Sequence, residues 1–210
     1  MIEQLIETGR RIVASGIAKG WAGNLSARYR GNFIITRSGA DLGNLEQSDI
    51  VFIRPQTSQL SLQARRPSSE LSLHLAIYKE HPDTQVVIHV HSPQSIAFGL
   101  LGMGLPALTP DFYRYVGALV PVLPFIPPTT QELATAVAQA LSDSSAVLLQ
   151  NHGVVVIGES VSQALLRLNL LEEQAGIYMA ALAAGTPRQL WDADLEKLDE
   201  LLSRKQNRNA

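Results

Sequence analysis

The chain has 210 residues, of which 46% are hydrophobic and only 17% charged, a balance that excludes intrinsic disorder and fits one domain over residues 1–210. Seventeen Lys and Arg against 19 Asp and Glu leave a net charge of −2, which argues against a nucleic-acid binder acting by bulk electrostatics. The absence of cysteine excludes disulfides, thiolate metal sites and cysteine nucleophiles.

Apolar residues at Ile2, Leu5, Ile6, Ile12, Val13 and Ile17 predict a helix over 2–19, stopped by Gly20. This first stretch already contains acids and lacks the pattern of a secretory signal, and no apolar run reaches the length of a membrane span. The expectation is a soluble cytoplasmic protein with no nucleic-acid or membrane partner. To about residue 62 the character changes. Phe33-Ile34-Ile35 and Val51-Phe52-Ile53 are short β-type runs set among Gly and Asn. Pro67-Ser68-Ser69 then opens a helix over 69–80, ended by His81-Pro82.

Val86-Val87-Ile88-His89-Val90-His91 predicts a strand, and Ser92-Pro93 starts a helix directly after it. Gly102 to Pro128 reads as a long loop with short extended pieces. Thr129 and Glu132 form a capping-box pattern for a helix to Ser142. Residues 146–150 and 154–157 are strands around a tight turn, Asn151-His152-Gly153. Ser160 and Gln163 cap a long helix to Ala184, a last helix spans 192–204, and the polar tail after it is expected to fray. This order of elements suggests an α/β protein with a central, largely antiparallel sheet flanked by helices.

His89 and His91 stand two apart on a strand, so both imidazoles face the same side at its end. Alone, the pair is equally readable as core or surface histidines. His152, at another strand end, adds a third imidazole, and three neutral imidazoles are a known catalytic zinc set. Glu70, in the first turn of its helix, reads either as a partner of the helix dipole or as a metal ligand and general acid/base. In the second role its pKa is expected to be raised toward neutrality. His74, one turn further on, reads as part of a packed helix side. Gly23-Asn24-Leu25-Ser26, Thr36-Arg37-Ser38-Gly39 and Ser68-Ser69 are donor-rich loops able to hold a phosphate, or ordinary turns.

From about Gly20 to Gly185 these motifs, in this order, resemble the class II aldolase/adducin family, typified by fuculose-phosphate aldolase. The resemblance implies an α/β/α sandwich and a homo-oligomer, often a C4 homotetramer. It implies that His89, His91 and His152 bind a divalent metal, usually zinc, with manganese, cobalt or iron(II) as alternatives. Glu70 matches the catalytic carboxylate, which can also contact the metal. Gly23, Asn24, Ser38, Gly39, Ser68 and Ser69 match the loops for a small phosphorylated substrate. Where the aldolase branch has a catalytic tyrosine this chain has Pro110, with Tyr113 nearby. Asp111-Phe112-Tyr113 is similar to a run in ribulose-phosphate 4-epimerases, and Leu108-Thr109-Pro110 to a segment of 3-oxo-tetronate-phosphate decarboxylases. The expected activity is retro-aldol cleavage, with Asp111 or Tyr113 handling the proton of the second fragment. Epimerisation, decarboxylation and dehydration share the same metal chemistry. A lyase acting on an unphosphorylated hydroxy-ketone and a non-catalytic adducin-like interaction domain are the other readings.

Overall fold

The computed structural model describes residues 1–54 and 66–208. Helix α1 (Ile2–Ala14) leads into β1 (Gly23–Tyr29), β2 (Asn32–Thr36) and β3 (Ile50–Ile53), followed by α2 (Leu71–Glu80), β4 (Val86–Val90) and α3 (Pro93–Gly99). Then come β5 (Leu105–Pro106), α4 (Pro110–Tyr115), β6 (Leu119–Val120), β7 (Val122–Leu123), α5 (Gln131–Ala140), β8 (Ala146–Leu149), β9 (Gly153–Gly158), α6 (Val161–Ala184) and α7 (Asp192–Arg208).

Seven strands form one sheet in the order β3-β2-β1-β4-β9-β8-β7, antiparallel throughout except for the β7–β8 pair. β5 and β6 make a separate two-stranded ribbon. All five residues of β4 are buried, because both faces of the sheet are covered. Val86, Ile88 and Val90 face a large apolar cluster built with α1, α3 and α6. On the opposite face Val87 packs with Leu73, Ile77, Leu133 and Val137 of α2 and α5. Helices thus sandwich a mainly antiparallel sheet, as expected. Among the described residues no helix is long and apolar enough to cross a membrane.

Several boundaries differ from the sequence reading. α1 ends at Ala14, with Ser15 as its C-cap, and the glycine that turns the chain is Gly16, at φ +77°. The stretch 23–29 is a central strand rather than a loop. A Cβ on Gly23 would stand 2.3 Å from the His89 carbonyl oxygen, so the glycine serves close strand approach. α4 lies inside the expected loop, where Thr109 Oγ1 accepts from the Phe112 N–H and Pro110 occupies the first turn. α5 is capped by Thr130, not Thr129: its Oγ1 accepts from the Leu133 N–H, while Thr129 sits at φ +66°. α7 continues through the polar tail to Arg208.

Candidate active site and metal centre

Period-two alternation on β4 turns His89 to the α2 face of the sheet, opposite Asn24 on β1 and Val155 on β9. His91 follows just past the strand's end. His152 sits in the β8–β9 turn, which Asn151 closes at φ +61°, a conformation asparagine tolerates. Gly153 is needed for contact rather than for the turn: its Cβ would meet the Val90 carbonyl oxygen at 2.5 Å. Glu70 arrives from the start of α2. It is the N-cap residue, yet its side chain makes no capping bond. The carboxylate instead turns into the sheet and is only 6% exposed.

One ligand atom from each of Glu70, His89, His91 and His152 lies within 4.8 Å of all the others. The three imidazole rings are mutually edge-on, with centroids 4.8–5.1 Å apart. His89 Nε2 stands 3.0 Å from Glu70 Oε2, and His152 Nε2 stands 3.5 Å from Glu70 Oε1. His89 Nδ1 donates to the Val154 carbonyl at 3.0 Å. In the neutral ring that bond leaves Nε2 as a bare lone pair facing an anionic oxygen. Two acceptors at that separation require a positive charge between them, either a proton or a metal ion. Glu70 Oε1 and His152 Nδ1 are likewise buried without a hydrogen-bond partner. Such a donor set, with one imidazole oriented by a backbone carbonyl, fits a divalent metal ion.

The electrostatics favour the ligand forms. Burial, reinforced by the charge of His89, lowers the pKa of His91 and takes that of His152 down to about 4. Both imidazoles are therefore neutral at physiological pH, as metal binding requires. For Glu70, burial pushes the pKa up, but the hydrogen bond and charge of His89, the Asn24 amide and the charge of His152 together outweigh it. The carboxyl is held well below the ordinary range rather than raised toward neutrality as the sequence reading expects, because basic partners converge on it.

The expected phosphate loops meet beside this cluster. Arg37 and Pro67 form an isolated bridge, the Ser38 N–H donates to the Arg66 carbonyl at 2.9 Å, and the Ser68 N–H donates to the Thr36 carbonyl at 3.1 Å. Ser38, Gly39 and Ser69 are exposed, and Gly39 is at φ +69°. Ser68 is buried, its Oγ accepting from the Glu70 N–H at 3.2 Å. An open hollow of about 650 Å³ next to Ser38 is bordered by Arg37 and Arg66. The Asn24 side chain points elsewhere, donating from Nδ2 to Glu70 Oε2 at 3.0 Å.

Among the described residues, no hydrogen bond or ion pair joins Asp111 or Tyr113 to the cluster. Asp111 is exposed in the first turn of α4. The Tyr113 hydroxyl donates to Asp199 on α7 at 2.8 Å, and that bond to a carboxylate raises the phenol's pKa. The sequence reading missed Glu172 of α6. Its carboxylate accepts from the Gln94 and Ser95 N–H groups and the Ser95 hydroxyl, anchoring α3 directly after His91. An acid set among the apolar residues of a predicted helix is the available signal.

Residues 3–179 match the Class II Aldolase and Adducin N-terminal domain. The chain belongs to that family. It is 30% identical over 198 residues to the 5-deoxy-D-ribulose 1-phosphate aldolase of Bacillus thuringiensis serovar kurstaki, covering 93% of this chain and 92% of the relative. It is 36% identical over 182 residues to the 3-oxo-tetronate 4-phosphate decarboxylase of Escherichia coli strain K12, covering 82% and 85%. The solved structure of an L-fuculose 1-phosphate aldolase superposes with a TM-score of 0.88 at 31% identity, covering 96% and 95% of the two chains. This family member is a class II aldolase-type enzyme.

Proposed function

We propose that this enzyme is a zinc-dependent lyase that cleaves a carbon–carbon bond in a small phosphorylated sugar. The carrying observation is the convergence of Glu70, His89, His91 and His152 beside loops 36–39 and 66–69. When bound, the ion supplies Lewis-acid polarisation of a substrate carbonyl. The chain's own groups do the rest. His89, His91 and His152, fixed by the sheet, would hold the ion. Glu70, ionised at neutral pH, first takes up a proton from a substrate hydroxyl or water and then delivers it to the carbon next to the carbonyl, where the electron pair of the broken bond arrives. Ser38, Gly39, Ser68 and Ser69 bind the phosphate and orient the substrate. Asp111, exposed on α4, is the residue we put forward for the proton of the second fragment. We further assign the cytoplasm as the compartment, since sugar phosphates are held there. A single domain over 1–210 and a homotetramer complete the proposal. Exposed Leu100, Leu101, Met103 and Leu119 are apolar surface that copies of the chain would cover.

The test combines metal analysis with two activity assays. Parent protein should bind about one equivalent of zinc and cleave 5-deoxy-D-ribulose 1-phosphate or L-fuculose 1-phosphate. The His89→Ala/His91→Ala variant should do neither. Ser68→Ala/Ser69→Ala should raise KM for the cleaved sugar phosphate by about tenfold, the worth of one charge-assisted hydrogen bond. A parent that binds zinc but cleaves no sugar phosphate refutes the aldolase reading. A second reading, decarboxylation of a phosphorylated 3-oxo acid, draws on the 36% identity to the decarboxylase. Carbon dioxide release from 3-oxo-tetronate 4-phosphate separates the two.

A further inference from the structure

Behind the Glu70 carboxylate runs a row of buried side chains that the chemistry above does not use. Glu70, His74 and Tyr78 are four apart along α2, and they face Asn24 and Ser26, two apart on β1. Four helical residues advance about 6 Å and two strand residues about 6.8 Å, so the rows run nearly in step and each helix side chain finds a strand partner. Asn24 Nδ2 bonds Glu70 Oε2 at 3.0 Å, and Asn24 Oδ1 meets His74 Nε2 at 2.5 Å. Ser26 Oγ lies 2.7 Å from His74 Nδ1 and 2.8 Å from the Tyr78 hydroxyl. Asn24, Ser26, His74 and Tyr78 are all buried, so water cannot substitute for a missing partner.

The direction of every bond follows from the carboxylate. Glu70 Oε2 only accepts, so the Asn24 amide must turn its NH2 toward it and its oxygen toward His74. That oxygen only accepts, so His74 Nε2 carries the hydrogen. In the neutral ring Nδ1 is then a lone pair, to which the Ser26 hydroxyl donates. With its own hydrogen committed, Ser26 accepts from the Tyr78 hydroxyl. If His74 did not donate, the amide would be free to rotate and set its oxygen against the carboxylate.

We propose that the one-way chain Tyr78–Ser26–His74–Asn24 is a positioning device that holds the Glu70 carboxylate in one orientation, with Oε2 tethered and Oε1 turned toward His152. His74 and Ser26 thus govern turnover through Asn24, without touching the substrate. The role in turnover rests on the lyase reading; the fixed orientation does not.

The test uses the full-length protein, metal-free and zinc-loaded. Imidazole 15N NMR should show His74 as the Nε2–H tautomer in the parent, and that preference should weaken in Ser26→Ala. At saturating zinc, His74→Leu should lower kcat by about 10–100-fold with little change in KM, or lower zinc affinity by the same factor, the usual cost of losing a group that orients a ligand. His74→Gln, which keeps a donor for Asn24, should recover most of that loss. A purely structural role would lower Tm without such a split and without rescue. The Nδ1–H tautomer in the parent overturns the proposal. So does a folded His74→Leu with parental kcat and zinc affinity. If His74→Leu does not fold, Ser26→Ala and His74→Gln decide by the same readouts. If the parent cleaves no sugar phosphate, the lyase reading fails, and the tautomer and zinc affinity still decide the positioning role.

Discussion

Gly153→Ala is the most direct probe of how the strands hold the histidines. An added Cβ would lie 2.5 Å from the Val90 carbonyl oxygen and 3.1 Å from His91 Cδ2, where ordinary contact begins at 3.4 Å. The end of β9 would have to part from β4 by up to about 0.9 Å, and neither neighbour is the tip of a flexible side chain. Overpacking of this kind costs about 1–3 kcal/mol. For a chain of this size that lowers Tm by roughly 2–12 °C. The same displacement exceeds the ~0.2 Å latitude of metal–ligand distances, so zinc affinity should fall by at least tenfold. Calorimetry of chelator-treated protein reads the first effect, and competition against a chromophoric chelator reads the second. Gly99→Ala at the end of α3 is the control, since its Cβ would find its nearest neighbours, the Leu149 carbonyl oxygen and Gln150 Cα, at 3.9 and 4.0 Å. It should be neutral or stabilising by about 0.5–1 kcal/mol. A Gly153→Ala protein with parental Tm and zinc affinity would refute the reasoning.

Acid should destabilise the metal-free protein well before ordinary carboxylates titrate. Burial and the charge of His89 put His74 at about 3 and His152 at about 4, against an unfolded value near 6.5. The unfolded chain therefore takes up these protons first, so stability is full above about pH 6.5 and declines as pH falls toward the folded values. The depressed Glu70 carboxyl adds a further loss at lower pH. Urea midpoints should descend from about pH 7.5 to 5, and a flat or rising series would contradict the shifts. Glu172→Gln should cost about 1–3 kcal/mol, because it weakens charge-assisted bonds at the start of α3; equal Tm values would refute this anchor. Ser160→Ala removes the N-cap acceptor of α6 and should cost about 1 kcal/mol in denaturant unfolding while leaving zinc affinity at the parental value.

The candidate metal cluster is partly legible because strand alternation is a local rule: it puts His89 and His91 on one side whatever surrounds them. Long periodic helices and the cap at Ser160 were legible for the same reason. β1 was not, since Gly23, Asn24 and Ser26 carry turn chemistry locally. They belong to a strand only because Gly23 lets β4 approach and because α2 supplies partners for the two polar side chains. Likewise, nothing local shows that His74 bonds Asn24 across 50 residues, or that Tyr113 is engaged by Asp199 across 86. The Thr109-Pro110 start of α4 was a readable signal, outweighed by the Gly and Pro around it.

The sheet acts as a partition. The larger apolar reserve lies behind it, against α1, α3 and α6, while the face turned to α2 carries the histidines, the carboxylate and their buried polar company. Both faces carry apolar packing, but only the α2 face also displays the chemistry. Loops at the displayed side can therefore drift under selection for a new substrate while the reserve keeps the frame intact. A fold divided in this way can change its reaction without first having to become a different fold.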